Sequence, residues 1–207
     1  MEIQIFDPEI EAEIFGFDES KDRRQRKTHK AVERGLIELL QKKDYDQITI
    51  SELTEVADIN RKTFYNNYES IDDVIESIEK KLTAYIFSKL PKQIDINNEI
   101  EIYNFFNEFT RITEPYKKMI QRITRHRGVT VILEKIENTI APYIERSMMK
   151  YHIDASVIPY VSRYITSGMT SIFYEWFKND TLSSNQISKL AYNLIAASVV
   201  PENYRDI

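Results

Sequence analysis

Arg61, Lys62, Thr63, Tyr65 and Asn66 fall in one short run, ADINRKTFYNNYES, and each carries a side-chain hydrogen-bond donor. Phe64 alone interrupts them with an apolar ring. The run is too polar for a strand of a core and too short for a core helix. Donors of this kind on one short element suit phosphate oxygens and the acceptor-rich edges of bases. No catalytic constellation competes with that chemistry. The chain has no cysteine, so disulfides and thiolate nucleophiles are excluded. Its histidines, His29, His126 and His152, are far apart in the sequence and lack metal-ligand spacing. A Gly-rich phosphate loop, a HExxH element and a CxxC element are all missing. The chain therefore reads as a non-enzyme with no metal and no cofactor. The remaining basic cluster, Arg122, Arg125, His126 and Arg127, can meet an anion but reads first as a solvated turn between helices.

Donors act as a reading head only if an element holds them outward, and the local sequence supplies one. Thr49-Ile50-Ser51-Glu52 has the form of a capping box, with Ile48 and Leu53 at staple spacing. Asn60 is a second candidate cap, with Ile59 and Phe64 repeating the staple, and Ser70 is a third. Helices are thus predicted to start near 50, 61 and 71, preceded by a longer one marked by Val32, Leu36, Leu39 and Leu40. Between the first two capped helices, Ala57-Asp58-Ile59 must turn tightly. Glycine is usual where φ turns positive, and Asp tolerates that region better than most residues. Projected at helical spacing, Phe64 and Tyr68 share one face, with Asn67 at its edge. Lys62, Thr63, Tyr65 and Asn66 spread over the other, which suits a recognition helix in a major groove.

Charge supports this placement. The net charge of −5 hides an uneven distribution. Residues 1–20 hold seven acidic side chains and no basic one, whereas 21–43 hold nine basic against three acidic. A basic helix in an acidic protein can meet the DNA backbone. Lys27 and Lys30 are assigned to that contact, together with Thr49, Ser51 and the amides that open the helix near 50. The acidic 1–20 segment is read as an arm, either free or docked on the basic run. No segment is apolar for long enough to span a membrane, and the opening residues have no signal-peptide pattern, so a soluble cytoplasmic protein is expected.

The segment ITISELTEVADINRKTFYNNYESIDDVI resembles the DNA-binding segment of the tetracycline-repressor (TetR) family of bacterial regulators. The matching positions are Ile48-Thr49-Ile50, Ala57-Asp58-Ile59-Asn60, Thr63-Phe64-Tyr65-Asn66-Asn67-Tyr68 and Asp72-Asp73. Asp58 replaces the family's usual Gly, Asn67 its common His and Tyr68 its Phe; each substitution is expected to keep the local role. The resemblance implies an all-α homodimer in which a helix-turn-helix domain binds DNA and a helical domain dimerises and often binds an effector. It maps the recognition helix to Asn60–Asn67 and matches Thr63 and Tyr65 to positions that touch DNA. Arg61, Lys62 and Asn66 are our candidates for base reading. The expected organisation is 1–20 as an extension, 21–70 as the DNA-binding domain, and 71–207 as the dimerisation and effector domain.

Further along, helices are expected over 71–90, 99–113, 115–125 and 127–150, the last with a kink or break at Pro142. Residues 92–98 read as a loop. The 155–178 stretch is apolar on more than one face, and a helix at about 184–200 carries Ile187, Leu190, Ala191, Leu194 and Ala197 on one side. Ser167, Gly168 and Ser171 leave room for a neighbouring helix. Paired with a second copy, these two helices can form a four-helix bundle. Tyr103, Phe105, Phe106, Phe109, Tyr116, Met119, Tyr143, Met148 and Met149 can line an apolar effector cavity or fill a plain core; the sequence leaves both readings open. The function expected is a dimeric DNA-binding regulator that represses from a near-palindromic operator and is released by a small-molecule effector. The alternative is a partner-binding coactivator that keeps the DNA-binding unit.

Overall fold

A computed structural model describes residues 23–92, 98–127, 129–150, 153–179 and 181–197. The 1–20 segment and most of the 92–98 loop expected from sequence lie outside the described residues. The fold is all-α. Nine helices follow in order among the described residues: α1 Arg23–Lys42, α2 Ile50–Val56, α3 Arg61–Tyr65, α4 Ile71–Lys89, α5 Glu99–Thr113, α6 Lys117–Arg127, α7 Val129–Met148, α8 Ile158–Lys178 and α9 Ser184–Ala196. Short 3₁₀ turns at Tyr45–Gln47 and Glu114–Tyr116 join α1 to α2 and α5 to α6. The described residues form two compact units. One runs to Ser88 and takes in Lys118–His126; the other comprises Lys89–Lys117 and the residues from Arg127 onward.

In the first unit, the apolar stripe of α1 is buried through Val32, Leu36, Ile37, Leu39 and Leu40. Gly35 lets α2 come close: a Cβ there would sit 3.4 Å from Ala57 N, Leu53 Cδ1 and Val56 Cγ1. The capping box forms, with Thr49 Oγ1 accepting from Glu52 N at 3.3 Å and Glu52 Oε2 accepting from Thr49 N at 3.1 Å. Asn60 Oδ1 accepts from Thr63 N at 2.8 Å, and Ser70 Oγ from Asp73 N at 3.2 Å. All three predicted caps are therefore in place, and each satisfies a first-turn amide that the helix itself leaves orphaned.

The turn between α2 and α3 is a Schellman arrangement. Asp58 N donates to Glu55 O at 3.1 Å and Ile59 N to Thr54 O at 3.0 Å. Asp58 takes φ 52°, the positive value the turn requires. Since only glycine enters this region without cost, Asp58→Gly is expected to be neutral or stabilising, and Asp58→Val to cost about 1–2 kcal/mol. Urea unfolding of both variants measures this; equal midpoints would contradict it.

Arg122 differs from its sequence reading. The backbone of the QRITRHR run is helical, within α6, and not a turn. Arg122 Nη1 donates to Leu40 O at 2.6 Å and Lys43 O at 3.2 Å, and its Nε lies 3.9 Å from Asp44 Oδ1. A cation set against the last carbonyls of α1 satisfies orphan acceptors and opposes the negative end of the helix dipole.

In the second unit, α8 packs against α7 and α9, and α9 packs along α5. Phe106, Phe109, Phe173, Trp176 and Phe177 are buried at its centre. Trp176 Nε1 donates to Leu182 O at 2.9 Å, so the buried indole N–H has a partner. The hydroxyls of Thr166 and Thr170 are buried but satisfied, at Ser162 O and Ser167 O. Helix α7 runs through Pro142 without a break. Ser183 and Gln186 build a second capping box at the start of α9, and a Cβ on Gly168 would meet Ile195 Cδ1 at 3.7 Å. Of the aromatic set read as cavity or core, Phe105, Phe106, Phe109, Tyr116 and Met148 are buried in this unit. Met119 is buried in the other unit, Met149 is 68% exposed, and Tyr103 donates to Asn185 Oδ1 at 2.9 Å. The side chain of Tyr143 lies outside the described residues.

Candidate nucleic-acid interface

Helix α3 is anchored from beneath. Phe64 is fully buried, and its ring lies 5.9 Å from that of Tyr68, itself buried after the helix ends. The α-helix proper closes at Tyr65, shorter than the two turns read from sequence. Asn66 is its C-cap, still in the right-handed region at φ −73°, and its N–H bonds to Lys62 O. Asn67 Nδ2 donates to Thr63 O at 2.8 Å, which ties down the last turn. An Asn at this position has work of its own.

The opposite face looks out to solvent. Arg61, Lys62 and Asn66 are exposed, Thr63 is half-buried, and the Tyr65 ring is 57% exposed. Thr49, Ser51, Asn60 and Lys27 are also exposed, and Lys30 is half-buried. The structure therefore brings the α2 and α3 residues together around one turn. Arg61 Nη2 donates to Ser51 Oγ at 2.5 Å, linking the start of α3 to that of α2. Thr49 Oγ1 and Asn60 Oδ1 are occupied by their caps, and Thr63 Oγ1 donates to Asn60 Oδ1 at 3.1 Å. These three side chains set the helix starts, while Lys62, Tyr65 and Asn66 point out of the cap network.

Electrostatics in the turn are partly neutralised. The Glu52 carboxyl is pulled down to about 2, first by a hydrogen bond from Lys43 and then by those from Thr49. It stays ionised, paired with Lys43, through neutral pH. Below the interface, burial and the Glu33 charge push the Tyr68 hydroxyl far above its ordinary value, so it stays protonated. That hydroxyl donates to Glu33 Oε1 at 3.1 Å and lies 2.5 Å from His29 Nδ1. Reading Tyr68 as a stand-in for Phe missed this bond. The available signal was Glu33 itself, an acid on the apolar face of α1 between Val32 and Leu36.

No family model matches the chain. A stretch of 70 residues is 33% identical to an uncharacterized HTH-type transcriptional regulator, YxbF, of Bacillus subtilis (strain 168). The stretch covers 33% of this chain and only 18% of that protein. Among solved structures, the dihydroxyacetone kinase operon activator DhaS has the same fold, with a TM-score of 0.63 at 20% identity over 84% of this chain and 95% of that one. The TetR family repressor AlkX from Dietzia sp. strain DQ12-45-1b matches with a TM-score of 0.55 at 18% identity over 83% and 94% of the two chains. The chain thus has the fold of a TetR family repressor. No described helix is long and apolar enough to cross a membrane.

Proposed function

We propose that the chain is a TetR family transcriptional regulator that binds DNA as a homodimer. One observation carries the reading: the α3 side chains without a part in capping, Lys62, Tyr65 and Asn66, are presented outward by a helix whose other face is pinned through buried Phe64. Two such helices reach successive major grooves of a near-palindromic operator when about 34 Å apart. In this reading Lys62 and Asn66 touch base edges, with Arg61 bracing or joining them. Tyr65, Thr63, Thr49, Ser51 and Asn60 line the backbone, and Lys27 and Lys30 extend the phosphate contact along α1.

The dimer uses α8 and α9. Tyr160 and Tyr164 lie one helical turn apart on α8 and are 79% and 64% exposed. Leu190 and Leu194 repeat that spacing on α9 at 40% and 50%. Apolar surface at this spacing on two packed helices suits the same two helices of a second copy. The regulator acts as a repressor. A small-molecule effector releases it by binding one of two domain arrangements more tightly than the other. An activator role in concert with another protein is the second reading, favoured by the fold shared with an operon activator.

Selection from a random duplex pool by the full chain tests the proposal. An enriched inverted repeat is expected; an unenriched pool, with retained binding to another protein, would favour the coactivator. Lys27→Ala is expected to lower affinity equally for selected and scrambled duplexes and to flatten the salt dependence by about one phosphate contact. A loss confined to the selected sequence would remove Lys27 from the backbone role.

A further inference from the structure

Beneath the interface, one carboxylate gathers three elements. Glu33 of α1 is fully buried. Its Oε1 accepts from Tyr68 Oη at 3.1 Å, Ser77 Oγ at 2.6 Å and Lys81 Nζ at 2.9 Å, and its Oε2 accepts from Lys81 Nζ at 2.7 Å. Tyr68 closes the exit of α3, whereas Ser77 and Lys81 lie on α4. The Tyr68 hydroxyl also lies 2.5 Å from His29 Nδ1. The His29 ring also lies 4.6 Å from the Tyr68 ring.

An ion pair whose carboxylate is buried and whose ammonium is 22% exposed is a poor device for stability alone. Desolvating the carboxylate and ammonium offsets much of their attraction, and apolar replacements of similar volume often serve as well. Directional bonds do what apolar contacts do not: they admit one geometry among several that pack equally well. Here the fixed geometry is that of α1, the α3 exit and α4 around one carboxylate. The α3 helix is short, and its outward side chains must meet base edges to within a fraction of an ångström. Tyr68 N donates to Phe64 O at 2.9 Å and the two rings lie 5.9 Å apart, so a shift of Tyr68 bears directly on the Phe64 anchor.

We infer that Glu33 is a positioning residue for DNA reading, its bonds to Tyr68, Ser77 and Lys81 setting the angle at which α3 is presented. The inference rests on the regulator reading above. Its test uses the full chain with Tyr68→Phe, which keeps the ring and removes the hydroxyl. A second variant, with Glu33→Met, Tyr68→Phe, Ser77→Ala and Lys81→Met together, removes the charged pair along with both hydroxyls; His29 Nδ1 loses its Tyr68 bond in both variants alike. Two quantities are measured: discrimination between selected and scrambled duplexes, and amide hydrogen exchange in the free protein. The multiple variant is expected to stay folded and lose about tenfold or more in discrimination, the scale of one hydrogen bond to a charged group. Tyr68→Phe loses part of that. Exchange rises in α3 and is unchanged in α8. A folded variant with unaltered discrimination overturns the inference. If the parent chain selects no sequence, the regulator reading fails, and the exchange readout decides alone. Faster exchange confined to the α3 segment then shows that Glu33 fixes α3 in place, apart from any DNA reading; unchanged exchange ends that role too.

Discussion

Alanine at both Lys62 and Asn66 is expected to weaken specific DNA binding by roughly 2–6 kcal/mol, from 1–3 kcal/mol for each lost base contact. The two side chains are exposed and take no part in the caps that start α2 and α3. Folding should therefore be nearly indifferent to the change, and the thermal midpoint should stay where it is. Affinity for scrambled duplex should fall only by the share of Lys62 in phosphate attraction. This contrast makes the result informative. Replacement of buried Phe64 would also abolish binding, but by removing the anchor, at a cost of about 3–5 kcal/mol of stability. A titration of the double variant against the selected operator, with circular dichroism as the control, distinguishes reading from anchoring. Unchanged operator affinity would take both residues out of the reading role.

The second large effect concerns assembly. Tyr164→Glu together with Leu194→Glu puts two charges at exposed apolar positions of α8 and α9. Neither position is buried within the single chain, so the monomer fold should survive. In a dimer the same carboxylates would be desolvated and set near their own copies, which is expensive. Sedimentation should then report a monomer. Operator affinity should fall by about 10²–10⁴, because the second half-site no longer binds at high effective concentration. A variant that still sediments as a dimer would place the interface elsewhere.

Much of the interface was legible because its signals are local. Thr49 with Glu52, Asn60, Ser70 and Asp58 each act within a few residues of themselves, through backbone groups whose needs are the same in any fold. Capping chemistry therefore reads off the chain directly. The outward set on α3 follows from helical spacing once Phe64 is taken as the anchor. The contacts that escaped are long-range. Arg122 meets Leu40 and Lys43 from a distant helix, and its basic neighbours gave it the look of a solvated run. Tyr68 resembled a plain ring because its hydroxyl finds Glu33 and His29 across the unit. Glu33 on a buried stripe announced that some partner existed, without naming it. The aromatic and methionine residues of 103–149 look alike in sequence, yet Met119 and Met149 end in different surroundings from Phe105 and Phe106. Helical spacing alone does not assign a side chain to a unit.

The central claim, that the outward face of α3 reads duplex DNA, is tested most directly by photocrosslinking from two surface tyrosines. A benzophenone amino acid at Tyr65 should capture the selected operator. The same group at Tyr160, more exposed but on α8, should capture a second copy of the chain and no DNA. Operator DNA crosslinked from position 160 and not from position 65 would contradict the account.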